Sequence, residues 1–383
     1  MTSRVRVSHF VGLSGIGGGQ KLFSEYIEDA KNNHDFLHKV YTFGGVDNQY
    51  KTSFKVYNIV NPINLLKLVT DLIMPNRIVH FYNNLSSFKV AVFLFFIPTN
   101  SLIVHERGTV WNISKKNNLV LRFIVWKSLL VLANSNATKA MLEHRHSISP
   151  KKIRVVHNGI KPIACKKDEN KYTQNLFKIG FIGRFEAHKG IHILIDAMKH
   201  LSNYPIELIL AGDGALKNRM VERSNCNEKI IFIGRVDKPE NFYQMIDLLV
   251  VPSIREPFGN ICVEAGFCKI PVLAANIDGL PEIIDNGFSG ELIDPTDPIK
   301  IDDFDVNTIA YPKVVVDSKK LITIKPLQIN PRDLAKRILS LYSNPDRLQK
   351  YSVELYKKVV SKYTMKKYTD RINSIYFEVK KKH

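Results

Sequence analysis

Two cations in the second half of the sequence have the spacing expected of a diphosphate-binding site. Arg184 and Lys189 follow a predicted strand that ends at Gly183, and a predicted helix begins at Ile191. A guanidinium fork and a lysine point charge at the amino end of a helix match the charge of a diphosphate. A solvated surface pair is the alternative interpretation. His188 is given no role.

Two carboxylates further along suit the hydroxyl groups of a sugar. Glu256 lies in the loop after a predicted strand at 248–251, and Glu264 lies about one turn into the next helix. A carboxylate accepts paired hydrogen bonds from neighbouring hydroxyls, such as those of a ribose or a pyranose. Two carboxylates flanking a glycosidic bond also occur in glycoside hydrolases. The cationic pair favours a transferase, because a hydrolase has no diphosphate to hold.

A glycine-rich loop at 15–19 follows the first predicted strand and precedes a helical segment from Gln20. Glycines let the backbone approach a phosphate, and the helix end offers N–H groups and a positive dipole end. The loop lacks the spacing of a dinucleotide fingerprint, and no acidic strand end follows about 20 residues later. A tight turn without a ligand is the alternative.

Short Val- and Ile-rich segments alternate with helical patterns, which predicts two α/β domains with parallel sheets. The first set of predicted strands is at 5–11, 39–43, 78–82, 102–105, 129–134 and 153–156. The second set is at 178–183, 207–211, 230–233, 248–251, 271–274 and 291–293. We expect an N-terminal domain at 1–170 joined by a final helix at about 362–383, a polar linker at 161–174, and a C-terminal domain at 175–361 with a β-hairpin insertion at 297–330. Ligands of such sheets bind at the carboxyl ends of the strands.

Length and composition agree with two folded domains without a membrane span. A chain of 383 residues exceeds a single core, and 45% hydrophobic with 24% charged residues is typical of globular proteins. The longest apolar segments, 90–98 and 123–133, fall short of the roughly 20 residues that a spanning helix needs. The amino terminus lacks a signal-peptide pattern, so we expect a cytoplasmic protein. The four cysteines lack zinc spacing and are expected to be reduced, buried thiols.

The net charge of +19 is concentrated in the first half, where residues 1–175 have 24 Lys and Arg against 10 Asp and Glu. Such a basic domain attracts either nucleic acid or an anionic membrane. Within a predicted helix at 115–128, four cations lie in an arc of about 140°: Lys115, Lys116, Arg122 and Lys127. Phe123 and Trp126 flank this arc, which favours a membrane surface, although a helix that simply covers the sheet is the alternative.

Four motifs in the second half resemble family 4 of the glycosyltransferases in order and spacing. They are Gly183-Arg184 with His188-Lys189-Gly190, Ala211-Gly212-Asp213-Gly214, Glu256-Pro257-Phe258-Gly259 with Glu264-Ala265, and Gly279-Leu280-Pro281-Glu282. In the first half, the glycine loop, His105-Glu106, Asn134-Ser135 and Asn158-Gly159 are also similar to that family. The resemblance covers residues 5–295 and the final helices.

The resemblance implies a GT-B fold, in which two Rossmann-like doubly wound domains face each other across a cleft. The N-terminal domain would bind the acceptor, and the C-terminal domain would bind the nucleotide sugar. It also implies transfer with retention of configuration, without a metal or a cofactor. Arg184 and Lys189 would hold the diphosphate, Glu264 the ribose, and Glu256 the sugar. The implied catalytic residues are His105, Arg184, Lys189 and Glu256. The implied donor-binding residues are Gly17, Gly18, Gly183, Arg184, Lys189, Gly234, Arg235, Val236, Glu256, Phe258, Gly259, Asn260, Ile261 and Glu264.

The resulting hypothesis is a hexosyltransferase that uses a UDP- or GDP-linked sugar rather than an ADP-linked one. Its acceptor would be a glycan or a lipid-linked glycan of the bacterial envelope, such as O-antigen, capsule or lipopolysaccharide, at the inner face of the cell membrane. An epimerase of the same fold and a transferase for soluble sugars remain alternatives. A nucleic-acid-binding protein is a more distant one, because no nucleic-acid motif is present. Asp303-Phe304-Asp305 resembles a metal-binding Asp-x-Asp but lies in the insertion, so we expect no metal there.

Overall fold

The computed structural model describes residues 4–15, 17–50, 54–113, 118–165, 176–299 and 311–381. The chain divides into two compact units. The first unit contains Met1–Lys161 and Tyr363–His383, and the second contains Pro162–Lys362.

In the described part of the first unit, seven strands form one parallel sheet in the order β3-β2-β1-β4-β5-β6-β7. These strands are β1 (Val5–Phe10), β2 (Phe36–Thr42), β3 (Val56–Asn58), β4 (Arg77–Tyr82), β5 (Leu102–Glu106), β6 (Leu130–Ala133) and β7 (Ile153–Val155). The helices of this unit are α1 (Gly18–Ala30), α2 (Pro62–Ile73), α3 (Phe88–Phe95), α4 (Asn118–Lys127), α5 (Asn136–Ala140) and, at the end of the chain, α13 (Met365–Lys381).

The strand order places helices on both faces of the first sheet. Parallel strands are joined by right-handed crossovers, so α1 lies on one face and α2, α3 and α4 on the other. Side-chain contacts agree with this assignment. Phe23 of α1 packs in a core with α13, whereas Asp71 of α2 accepts a hydrogen bond from Ser8 of β1 on the opposite face. Strands β1 and β4 are neighbours in the sheet, but the connections that follow them run toward opposite edges.

The core beneath α1 and α13 contains buried histidines that are hydrogen-bonded to one another and to tyrosines. His9 Nδ1 lies 3.0 Å from the Tyr82 hydroxyl, and His9 Nε2 lies 2.9 Å from His38 Nδ1. His80 Nδ1 lies 2.6 Å from the Tyr376 hydroxyl of α13. Buried polar groups need such partners, so these contacts fix the position of the last helix on the sheet.

In the described part of the second unit, six strands form a parallel sheet in the order β10-β9-β8-β11-β12-β13. These strands are β8 (Phe177–Ile182), β9 (Ile206–Ala211), β10 (Ile230–Gly234), β11 (Leu248–Val251), β12 (Val272–Ala275) and β13 (Glu291–Ile293). The helices are α6 (Ile191–Met198), α7 (Lys217–Ser224), α8 (Pro239–Met245), α9 (Asn260–Phe267), α10 (Leu280–Ile283), α11 (Pro331–Tyr342) and α12 (Pro345–Lys362). Two short antiparallel pairs join β14 (Asp297–Pro298) to β17 (Leu327–Gln328) and β15 (Val315–Asp317) to β16 (Ile322–Ile324).

The predicted α/β class with two Rossmann-like doubly wound sheets is confirmed. The differences lie at strand ends and at one edge. The second strand begins at Phe36, three residues before the predicted start, because His38 and Lys39 hide the apolar pattern there. Strand β3 (Val56–Asn58) was not predicted, since a three-residue edge strand leaves little pattern.

The expectation of four reduced thiols is wrong for two cysteines. Cys165 and Cys268 form a disulfide within the second unit, with their Cα atoms 5.1 Å apart. They are 103 residues apart in the sequence, so only the fold brings them to bonding distance. Of the other two, Cys262 is buried and Cys226 is exposed.

Helix α4 begins at Asn118, and its apolar residues Leu121, Ile124 and Val125 are buried against the unit. Two of the four predicted basic-face residues, Lys115 and Lys116, lie outside the described residues. The same holds for residues 166–174 of the predicted linker and 300–310 of the insertion. Among the helices that the structure describes, none combines the length and the apolar character needed to cross a membrane.

We expect the stability of the protein to decrease as the pH falls below about 6.5. Burial lowers the pKa of four histidines of the first unit: His9, His38, His80 and His105. The unfolded chain therefore binds protons below pH ~6.5 that the folded chain does not, and each histidine costs up to about 1.4 kcal/mol of unfolding free energy per pH unit. Urea denaturation across this range measures the slope. His38→Gln should reduce the slope, whereas substitution of the exposed His200 by Gln should not; equal slopes in both variants would contradict the assignment.

Candidate functional site

The site predicted in the second unit lies where the chain reverses direction across the sheet. Strands β8 and β11 are neighbours, but the chain leaves them toward opposite edges. The loops that follow them diverge, and such a switch point forms a ligand crevice in open α/β sheets. The two loops are joined by backbone hydrogen bonds from Ile254 and Arg255 to the His188 carbonyl, at 2.8 and 3.3 Å.

Lys189 and Glu256 meet at this switch point. Lys189 Nζ lies 2.6 Å from Glu256 Oε2, and their side chains are only 18% and 11% exposed. The sequence analysis assigned them to a diphosphate and to a sugar, and the structure brings them into one ion pair. Arg184 lies nearby in sequence but is 70% exposed, and it pairs with Glu186 at 2.6 Å. The site thus combines a largely buried ion pair with an exposed cation at its rim.

His188 occupies a structural position between the two loops. Its ring is buried, with Nδ1 3.3 Å from Glu186 and Nε2 3.5 Å from Arg255. Burial, followed by the charges of Lys189, Arg255 and Arg184, lowers the pKa of His188 to about 2. The ring is therefore neutral at physiological pH, and it orders the loop that presents Lys189.

Gly259 allows the second loop to turn directly into a helix. Its φ is +104°, and a Cβ atom there would lie 2.8 Å from a Leu280 methyl group, so a larger residue would strain the turn. Helix α9 begins at the next residue, Asn260, and the first turn also contains Ile261. The N–H groups and the positive dipole end of α9 therefore lie at the carboxyl edge of β11. Phe258 is buried and anchors the loop.

Glu264 is oriented by a tyrosine that the sequence analysis missed. The buried Tyr243 hydroxyl on α8 donates to Glu264 Oε2 at 3.0 Å and lies 3.2 Å from the Ile261 carbonyl. Burial, and then the charge of Glu264, raise the pKa of Tyr243 well above its usual value. The hydroxyl therefore remains a donor to the Glu264 carboxylate and restricts its orientation.

Asp278 is a second residue that the sequence analysis missed. Its buried carboxylate accepts hydrogen bonds from the N–H of Glu256 at 2.9 Å and the N–H of Val316 at 2.7 Å. It thereby joins the Glu256 loop to the β15–β16 hairpin. Burial raises the pKa of Asp278 to about 7, although the two backbone donors oppose the shift. The contribution of this one group to stability therefore decreases as the pH rises from about 4 to about 7, opposite to the histidines.

The residues predicted to contact a base lie further along the sheet edge. Gly234 ends β10 with a φ of +72°, and Arg235 after it is exposed. The Gly212 N–H donates to the Gly234 carbonyl at 2.7 Å, and a Cβ atom on Gly212 would clash with the Gly183 carbonyl. The loops after β8, β9 and β10 are therefore in direct contact, and Val236 follows them on the same edge.

In the first unit, the glycine loop follows β1 at the switch point of that sheet. Gly17 caps α1, its N–H lies 2.9 Å from the Tyr50 hydroxyl, and Gly18 is the first helical residue. Arg107, which the sequence analysis did not select, donates to the Gly19 carbonyl at 3.0 Å and lies over the Tyr82 ring. The loop after β5 therefore contributes a cation next to the glycine loop.

The structure places His105 in the interior of the first unit and not at its surface. The side chain has no exposed area, and its ring stacks on His80 at 5.4 Å and on Tyr82 at 5.8 Å. Burial, and then the charge of Arg107, lower the pKa of His105 well below its usual value. The predicted contact between His105 and a sugar stays a prediction; His105 lies within β5, and Arg107, in the loop that follows, is partly exposed.

Within the described residues, no group of three or more His, Cys, Asp or Glu side chains is arranged to hold a metal ion. The motif Asp303-Phe304-Asp305 lies outside those residues.

Comparison with known proteins shows that part of the second unit is similar to glycosyl transferases. Residues 165–303, which contain both loops of the switch point, match the family of glycosyl transferases group 1. The chain is 30% identical over 153 residues to the capsular polysaccharide biosynthesis glycosyltransferase CapM of Staphylococcus aureus, covering 37% of the chain and 40% of CapM.

Two further relatives extend the comparison. A Campylobacter jejuni 4-alpha-N-acetylgalactosaminyltransferase, named for a diphospho-undecaprenol-linked glycan, is 27% identical over 187 residues, covering 46% of the chain and 51% of the relative. The chain spans only about half the length of the curated relatives that it matches. Anabaena HepE, solved with UDP and glucose, is 18% identical with a TM-score of 0.71, covering 97% of the chain and 99% of HepE. The predicted GT-B fold class is confirmed.

We expect Asp278→Asn to loosen the Glu256 loop and the hairpin together. An amide has only one oxygen, so at least one of the two backbone N–H groups loses its acceptor. Hydrogen–deuterium exchange should become faster in peptides that contain Glu256 or Val316. Asp294→Asn, at an exposed carboxylate of the same unit, serves as the control. Unchanged exchange in both peptides would show that Asp278 does not hold the loop.

Proposed function

We propose that the chain is a retaining glycosyltransferase that moves a hexose from a nucleoside diphosphate sugar to a glycan or lipid-linked acceptor. The observation that carries the proposal is the Lys189–Glu256 ion pair at the switch point of the second sheet. It puts a cation for a diphosphate and a carboxylate for sugar hydroxyls in one crevice, directly before the amino end of α9. The match of residues 165–303 to glycosyl transferases group 1 supports the same conclusion.

The ion pair suggests how donor binding prepares the site. A bound diphosphate would draw Lys189 toward itself, and the released Glu256 carboxylate would then accept hydrogen bonds from the sugar. Arg184, with its long exposed side chain, would close on the diphosphate from the rim. A charge that is largely withdrawn from water needs a partner, because electrostatic interactions are stronger there than at the surface. In this exchange Lys189 would gain the diphosphate and Glu256 the sugar hydroxyls, so neither charge would be left without a partner.

Catalysis would depend on electrostatic stabilisation of the departing diphosphate. The transition state gains positive character at the sugar and negative charge on the leaving group. Lys189, Arg184 and the dipole of α9 would stabilise that negative charge, which is the usual role of preorganised cations and helix ends. We propose that the leaving phosphate oxygen takes the proton of the acceptor on the same face, which retains the configuration without a metal ion.

The remaining donor contacts follow from the loop positions. Glu264, oriented by Tyr243, would bind the ribose hydroxyls, and the backbone at Gly234–Val236 the base. The N–H groups of Phe258, Gly259 and Asn260 would hold the sugar, and Gly17 and Gly18 remain proposed donor-binding residues. We propose UDP or GDP as the nucleotide; the complex of HepE with UDP and glucose supports a uridine nucleotide.

We propose that the acceptor belongs to envelope polysaccharide synthesis at the inner face of the cell membrane, in the cytoplasm. CapM is named for capsular polysaccharide biosynthesis, and the Campylobacter transferase for a diphospho-undecaprenol-linked glycan. The basic first unit suits an anionic, lipid-linked acceptor.

We expect one nucleoside diphosphate to bind the wild-type protein and to bind Glu264→Ala about 10- to 100-fold more weakly, because paired hydrogen bonds to a charged group are lost. Isothermal titration with UDP, GDP and ADP measures this. Glu222→Ala, at an exposed glutamate on α7, should bind like the wild type. If Glu264→Ala and Glu222→Ala bind equally well, the ribose assignment is wrong.

Lys189→Ala should weaken UDP binding but leave the weaker binding of uridine unchanged, because only the diphosphate contact is removed. The substitution also leaves the Glu256 carboxylate without its cation. Comparing the UDP-to-uridine affinity ratio in both proteins isolates the phosphate contact. A ratio equal to that of the wild type would place the diphosphate elsewhere.

The product should keep the anomeric configuration of the donor, and chelating agents should not change the rate. Proton NMR of the isolated product provides the anomeric assignment. A new sugar nucleotide formed without any acceptor would identify the epimerase alternative, and an inverted product would refute retention.

A further inference from the structure

The layer of helices α2, α3 and α4 in the first unit displays a group of large apolar side chains to solvent. Phe96 is 78% exposed, Leu119 is 76% exposed and Trp126 is 71% exposed. Further exposed apolar residues on the same helices are Ile63, Leu66, Phe88, Val92 and Phe95. Single exposed apolar residues are ordinary, but a concentration on one layer marks an interaction surface.

Part of this group forms a continuous aromatic row. The ring centroids of Phe95 and Phe96 are 5.2 Å apart, those of Phe95 and Phe123 6.2 Å, and those of Phe123 and Trp126 5.9 Å. A contact between α4 and the end of α3 positions the rings of this row. Lys127 Nζ donates to the Ile97 carbonyl at 2.8 Å and lies 5.8 Å from the Trp126 ring, so α4 is fastened to the end of α3.

The same part of the chain carries almost only positive charge. Residues 48–142 contain eleven Lys and Arg but only two acidic residues, Asp71 and Glu106. Both acidic side chains are fully buried. No carboxylate in the described residues of this segment reaches the surface, so an approaching anion meets no negatively charged side chain there.

The two buried acids are engaged in structural hydrogen bonds. Asp71 accepts from Ser8 Oγ at 2.7 Å and from the Tyr41 hydroxyl at 2.9 Å, and it pairs with Arg77. Glu106 accepts from the backbone N–H groups that follow β5 and from the Thr109 hydroxyl. These contacts compensate the two negative charges inside the unit, so the charges do not offset the cations at the surface.

We propose that the α2–α4 layer docks on an anionic lipid bilayer, with Phe96, Leu119 and Trp126 inserted at the interface and Lys89 and Arg122 facing the headgroups. Indole and phenyl rings favour the boundary between headgroups and acyl chains, and basic residues beside them add attraction to anionic lipid. A second copy of this chain is a poor partner, because two identical cationic faces repel. The inference deepens the proposed function by naming the surface that reaches a lipid-linked acceptor.

Tryptophan fluorescence can report contact at this surface, because the sequence has only two tryptophans and one of them lies in the α2–α4 layer. Trp111 is buried and Trp126 is exposed. Titration with vesicles of phosphatidylcholine and phosphatidylglycerol should shift the Trp126 emission to shorter wavelength and reduce iodide quenching. Vesicles of phosphatidylcholine alone should produce a much smaller change, and added salt should reverse the effect. No sugar or nucleotide is present, so this test fails independently of the proposed reaction.

Sedimentation with the same vesicles tests the residues. The double variant Phe96→Gln and Leu119→Gln should bind at least tenfold more weakly, because two inserted side chains are lost. The matched control, Phe288→Gln with Val221→Gln, removes exposed apolar residues of the second unit and should bind like the wild type. All four positions are exposed, so the variants should fold, and thermal unfolding checks that they do.

The contribution of charge has its own pair of variants. Lys89→Gln with Arg122→Gln should weaken binding about 25-fold, at roughly fivefold per cation. Lys366→Gln with Lys367→Gln removes two exposed cations from α13, on the opposite face of the sheet, and should have little effect. Equal losses in both pairs would mean that net charge alone drives binding, and the proposed layer would be wrong.

Three other results would overturn the proposal. Failure to sediment with anionic vesicles at low salt would exclude the bilayer. A dimer by light scattering that dissociates in the Phe96→Gln and Leu119→Gln variant would assign the layer to a second copy of the chain. Binding of an oligonucleotide that competes with vesicles for the wild type, but not for Lys89→Gln with Arg122→Gln, would assign the cations to nucleic acid.

Discussion

The chemistry of the second unit depends on one constraint of parallel sheets. Adjacent strands whose connections run to opposite edges leave a gap above their carboxyl ends, and β8 and β11 are such a pair. The gap forces the loops of Lys189 and Glu256 side by side, where the two side chains form an ion pair largely withdrawn from water. The buried His188 ring, the turn at Gly259 and the hydrogen bonds of Asp278 hold these two loops in the positions that allow the ion pair.

Buried carboxylates are used here as joints between segments that are distant in sequence. Asp278 joins the Glu256 loop to the hairpin at Val316, and Asp71 joins α2 to Ser8 of β1. Burying a carboxylate costs free energy of folding unless several hydrogen-bond donors surround it. Each buried carboxylate therefore restricts the positions of the segments that provide its donors. In the first unit these joints also remove negative charge from the surface.

The two faces of the first sheet have different chemistry for a related reason. Beneath α1 and α13, burial keeps the histidines neutral, so that His9 and His80 act as hydrogen-bonding core residues. On the face covered by α2, α3 and α4, the apolar residues are divided between the sheet and the solvent. Leu121 of α4 is buried, whereas Trp126 one and a half turns later is exposed. The many apolar residues of α4 are therefore explained in part by packing in the core and in part by exposure at the surface.

The amino-acid sequence by itself determined the two doubly wound sheets, their strand sequence and the motifs at the strand ends, because hydrophobic periodicity and glycine–cation spacing are local properties. The tertiary structure alone decided the Lys189–Glu256 pair, the disulfide between Cys165 and Cys268, and the roles of Tyr243 and Asp278. These contacts join residues from 21 to 103 positions apart, and nothing in a local pattern records which distant side chain completes a hydrogen bond. The burial of His105 has the same origin: its position near the end of β5 follows from the sequence, but its neighbours His80 and Tyr368 come from another strand and the last helix.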